Sequence, residues 1–180
     1  MFFESLNFER NSAKKRYLDE VERYLGKNSF ILVQRLYTKG VGTVSIKANQ
    51  VIGVLVEDYP KAPWIKNGNY LSHFVAIFET LGYTFDINDN GDVSFNIDSL
   101  CKTIIKEYLN KNITQIINRL SEACEVTKGK ITYIHMIRIL GFRVYIDTTY
   151  NETTMKYCVS KFLEQMSLPF RKSETHVYFP

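Results

Sequence analysis

Cysteine is scarce in this chain of 180 residues. Cys101, Cys124 and Cys158 are the only three, they form no C-x-x-C pair, and an odd count argues against a disulfide framework. They read as reduced thiols of a cytosolic protein, used as small buried hydrophobes rather than as nucleophiles or ligands. Glycine (9) and proline (4) are too few for a collagenous, linker-dominated or disordered chain. No uncharged apolar run reaches the roughly 18 residues of a membrane-spanning helix, so no membrane partner is expected. The opening Met1-Phe2-Phe3-Glu4 places an acid inside its apolar patch, and no secretory signal is expected. The three histidines, His73, His135 and His176, are scattered, and no H-E-x-x-H, G-x-S-x-G or P-loop occurs. The expectation is a protein that is not an enzyme and uses no cofactor or metal.

What the sequence does contain is an ordinary folding composition, 45% hydrophobic and 23% charged. Its net charge of +4 is unevenly placed. Residues 1–98 hold 11 Lys and Arg against 12 Asp and Glu, whereas residues 99–180 hold 12 against 7. Aspartate causes the difference: six stand in the first part and Asp147 alone in the second. A further basic cluster, Arg10, Lys14, Lys15 and Arg16, lies early in the chain. Basic excess of this kind points to phosphate backbones or acidic partners.

The strongest signal is a repeat. Tyr24-Leu25-Gly26-Lys27-Asn28 returns as Tyr108-Leu109-Asn110-Lys111-Asn112, 84 positions later. The register continues from Leu32-Val33-Gln34-Arg35-Leu36 to Ile116-Ile117-Asn118-Arg119-Leu120. Six of these 13 aligned positions are identical, where unrelated sequence gives about one. Val75 meets Val159, Phe78 meets Phe162, Val93 meets Val177 and Phe95 meets Phe179 at the same offset. The chain therefore divides into two copies of one module, residues 1–98 and 99–180.

Hydrophobic spacing gives each copy the same order. A long amphipathic helix is expected from about 13 to 38, with Gly26-Lys27-Asn28 as a candidate break, and from about 100 to 124. Short extended pieces follow at 43–46 and 130–132, then second helices over 49–58 and 133–140, the latter stopped by Gly141. A Pro-rich linker covers 60–68, and 143–146 is a candidate strand. Third helices are expected over 69–82 and 151–166, the second capped by Asn151. Each copy closes with a hairpin, 83–96 turning at Asp89-Asn90-Gly91 and 168–179 turning near Lys172-Ser173-Glu174.

The expected class is mostly α with small antiparallel hairpins (α+β). In the order helix, strand, helix, helix, hairpin, repeated twice, the chain resembles tandem winged-helix proteins. That resemblance rests on element order and repeat, not on a signature motif. It implies a helix-turn-helix whose third helix enters the major groove while the hairpin touches backbone.

On this reading double-stranded DNA is the leading partner, and two modules in one chain can span adjacent half-sites. The candidate contacts are Thr153, Lys156, Tyr157, Ser160 and Lys161 on the third helix of the second copy, and Arg171 and Lys172 in its hairpin. Arg10, Lys14, Lys15 and Arg16 would add backbone contacts. The first copy is a poorer reader, because Asp86, Asp89 and Asp92 in its hairpin repel phosphate. The alternative partner is a protein: an adaptor docking through the acidic first copy and an apolar patch around Tyr59, Pro63 and Trp64. Residues 86–91 resemble the opening of an EF-hand calcium loop, but its twelfth position is Ile97 where a bidentate Glu is needed. A plain hairpin turn is expected there.

Overall fold

The computed structural model describes residues 2–54, 70–143 and 151–180. It is mostly helical with small antiparallel strands, in line with the α+β expectation. Helix α1 (Phe2–Tyr37) leads to β1 (Thr43–Ile46), a 3-10 helix (Ala48–Gly53), α2 (Tyr70–Thr80), β2 (Asp86–Ile87) and β3 (Val93–Asn96). Helix α3 (Ile97–Thr127) then opens the same order again. It is followed by β4 (Lys130–Thr132), α4 (Tyr133–Ile139), α5 (Glu152–Gln165), β5 (Arg171–Lys172) and β6 (His176–Tyr178).

The break expected at Gly26-Lys27-Asn28 does not form. Asn28 Nδ2 donates to the Tyr24 carbonyl at 3.1 Å and the Ser29 hydroxyl to that of Leu25, so both polar side chains fold back on the preceding turn. Tyr24, Leu25 and Phe30 are buried together with Asn28 and Ser29 and hold the helix through its exposed glycine, whose cost is about 1 kcal/mol. The repeat explains itself here. Asn112 Nδ2 donates to the Tyr108 carbonyl at 2.8 Å, so the matching Tyr and Asn of each copy do the same job.

Helix α3 begins earlier than expected because Asn96 caps it, accepting from the Ser99 amide at 2.9 Å. Asp98 in its first turn accepts from the Gly42 amide at 2.8 Å, which ties the loop before β1 to the start of the second half. Of the second helix expected over 49–58, the described part is a 3-10 helix, Ala48–Gly53, and residues 55–58 lie outside the described residues. Thr132 caps α4, accepting from the His135 amide at 3.2 Å, and Asn151 caps α5 as expected, accepting from the Thr154 amide at 3.1 Å. Residues 143–146 mostly lie outside the described residues, as do 60–68.

The extended pieces β1 and β4 are not isolated. Each pairs antiparallel with the last strand of its own half, giving two three-stranded sheets in the orders β1-β3-β2 and β4-β6-β5. Val44 and Phe95 pair on one face of the first sheet, and Ile131 and Val177 on one face of the second. These faces turn inward.

Buried residues from both halves form one continuous cluster. Helix α1 packs along α3 and reaches into the second half. Phe30, though its sequence position is in the first copy, sits 5.5 Å from the ring of Phe142 and 5.7 Å from that of Phe162. Tyr37 meets Tyr157 edge-on at 4.8 Å. The α2 side has its own aromatic knot, Phe74, Phe78 and Phe95 with Tyr83 and Phe85 around it. Among the described residues no helix is long and apolar enough to cross a membrane.

Candidate nucleic-acid interface

Helix α5 carries most of the residues singled out by sequence. Thr153 is exposed beside the capped N-terminus. Ser160 is not on the outward face: it is 3% exposed and its hydroxyl donates to the Lys156 carbonyl at 3.0 Å. Apolar periodicity cannot reveal this, because a serine that bonds back to its own helix buries without an unmet polar group.

The two lysines of α5 do not act together. They lie five residues apart, about 140° round a helix of 3.6 residues per turn. Lys156 is half-buried, paired with Glu152 at 2.7 Å and stacked 5.8 Å above the Tyr133 ring. The hydrogen bond to Glu152 raises its pKa, with Glu174 in the hairpin turn adding a smaller contribution, so its charge is secure at neutral pH. Tyr133 donates to the Ser173 carbonyl at 3.0 Å, which places this lysine near the turn of the second sheet. Lys161 instead pairs with Glu164 at 3.0 Å and covers the Tyr157 ring at 5.1 Å. Since Tyr157 packs on Tyr37, that side of α5 faces the end of α1. Tyr157 nevertheless stays exposed, and Lys161 is half-buried like Lys156.

Arg171 and Lys172 are exposed on β5, but alternation sends them to opposite faces of the sheet. Lys172 pairs with buried Val177, on the core-side face at the sheet edge. Arg171 pairs with Tyr178, and Tyr178 pairs in turn with Lys130 of β4. Directly opposed residues share a face. The solvent face of the second sheet therefore presents a row Lys130–Tyr178–Arg171, with Thr132 and His176 as the neighbouring pair. Sequence reasoning missed Lys130, Tyr178 and His176. The alternation of 175–179 marks Tyr178 as outward, but only the pairing of β4 brings Lys130 beside it.

The first sheet makes the contrast. Its equivalent row is Ser45–Ser94–Asp86, two hydroxyls and an acid where the second has two cations and an aromatic. In its turn, Asn88 Oδ1 accepts from the amides of Asn90 (3.0 Å) and Asp92 (2.9 Å), the geometry of a hairpin turn. Among the described residues no group of three His, Cys, Asp or Glu could hold a metal ion.

Lys15 and Arg16 are exposed on α1, whereas the side chains of Arg10 and Lys14 lie outside the described residues, as do Tyr59, Pro63 and Trp64. Among the described residues no carboxylate lies within ion-pair distance of Lys130, Arg171 or Lys172. Burial pushes the thiols of Cys101 and Cys158 well up, and that of half-buried Cys124 up as well. All three are protonated at neutral pH and poor nucleophiles. The second half thus exposes Lys130, Tyr178 and Arg171 on one face of its sheet. Comparison with protein-family models, curated proteins and solved structures gave no match.

Proposed function

We propose that the chain is a non-enzymatic, intracellular DNA-binding protein built of two winged-helix modules, residues 1–98 and 99–180, with the second module on double-stranded DNA. The twice-repeated order of helix, strand, helix, helix and hairpin supports the module reading, as do the matching strand orders of the two sheets. The observation that carries the DNA reading is the solvent face of the second sheet, where Lys130 and Arg171 stand without a described acidic partner. Exposed Thr153 and Tyr157 on α5 extend that surface, while Lys156 and Lys161 are each half-buried and paired with a glutamate of the same helix.

The first module takes a different part. Exposed Asp86 and Asp89 disfavour phosphate, and this half supports docking on a protein instead.

The reading is tested by anisotropy titration of random duplex DNA across a salt series. Affinity is expected to fall steeply with salt, and the Lys130→Gln/Arg171→Gln variant to have a log–log slope shallower by about 2. Salt-independent binding, or none at low salt, removes the DNA reading and leaves protein docking.

A further inference from the structure

The row Lys130–Tyr178–Arg171 has more in it than charge. With strands about 4.8 Å apart, the two cations stand roughly 10 Å from each other with the ring between them. Tyr178 is 37% exposed, whereas the residue before it, Val177, is fully buried. Tyr178 and Arg171 also line an open groove of ≈ 400 Å³ together with Pro169, Phe170, Phe179 and Pro180. His176 lies beside it on the same face, its ring centroid 6.2 Å from that of Tyr178.

A duplex uses only half of this surface. Its phosphates can meet the cations, but its bases are stacked on one another and offer no free π-face to the tyrosine. An unpaired nucleotide uses all of it, because every base can stack on an aromatic ring while the backbone tracks a positive surface. The first sheet, with serine and aspartate in the same row, has neither feature.

We propose that the solvent face of the second sheet holds an unpaired nucleotide of single-stranded DNA, its base stacked on Tyr178 against the groove and its flanking phosphates on Lys130 and Arg171. This inference rests on the DNA reading above and narrows the substrate to duplex that carries a single-stranded stretch.

Three labelled probes test it with the full chain: a blunt duplex, the same duplex with an oligothymidine overhang, and the same with an abasic overhang of equal length. The thymidine overhang is expected to raise affinity roughly tenfold over the blunt duplex, the effect of one stacked base. The abasic overhang carries the same phosphates and gives little of that gain. Tyr178→Ala abolishes the difference between thymidine and abasic overhangs, and Tyr178→Phe keeps it. Equal affinity for thymidine and abasic overhangs in the wild-type protein overturns the stacking site, whatever the variants do, and leaves duplex binding standing. Binding of none of the three probes at low salt overturns the parent reading and this one with it.

Discussion

Phe30→Ala is expected to lower stability by about 3–5 kcal/mol, in the range for removing a buried aromatic side chain. Phe30 is 6% exposed and lies against the rings of Phe142 and Phe162, so the cavity opens in the second half although the residue belongs to the first. Urea unfolding measures the loss. Hydrogen exchange in the same variant should speed up in α4 and α5 as well as in α1, because α1 is part of their core. Faster exchange confined to residues before Ile97 would show that the halves are stabilised separately.

Gly129→Ala is the second large effect. The residue has φ of +74°, and a Cβ built there would stand 2.6 Å from the backbone oxygen of Phe179. Its carbonyl accepts from the Phe179 amide at 3.0 Å, and its own amide donates to the Cys124 carbonyl at 3.0 Å. The strand end has to move, and the neighbour is backbone rather than a flexible side chain. Left-handed strain of about 1–2 kcal/mol combines with a lost hydrogen bond of about 1 kcal/mol, for a total of about 3 kcal/mol. Gly82 is the internal control: its φ is +64° and nothing lies within 4 Å of the added Cβ. Gly82→Ala should therefore show the backbone strain alone, roughly 1–2 kcal/mol. Equal losses at the two sites in thermal melts would mean that the contact with Phe179 is unimportant.

Much of the architecture is legible in the chain because each signal is local. The Tyr24 and Tyr108 segments announce the repeat, Asn151 announces the start of α5, and Asp89-Asn90-Gly91 announces a turn. Positions that depend on a partner distant in sequence are not legible. The break at Gly26 fails because Tyr24, Leu25 and Phe30 are held by the rest of the core. Ser160 disappears inward because its hydroxyl is satisfied by its own helix. Tyr157 is exposed as its outward position on a helical wheel suggests, but its edge-on contact with Tyr37 of α1 is not legible. Lys130 becomes a site residue only when β4 pairs with β6, across more than 40 positions of sequence.

The ion pairs along α5 have a consequence for how the second module would meet DNA. A helix that enters the major groove needs its outward face clear along several turns. Here Thr153 and Tyr157 are exposed, whereas Lys156 and Lys161 are half-buried and each paired with a glutamate. On the DNA reading, the cations without a described acidic partner would come from the sheet rather than from the helix.

The most direct test exchanges the character of the two sheets. Anisotropy titration of duplex DNA at low salt compares the wild type with Lys130→Ser/Arg171→Asp, which gives the second sheet the charge pattern of the first, and with Asp86→Asn in the first sheet. The second-sheet variant should lose at least tenfold in affinity, a difference of about 1.4 kcal/mol, and the first-sheet variant should change little. Unchanged binding by the second-sheet variant, with its fold intact by circular dichroism, would contradict the assignment of DNA contact to that face.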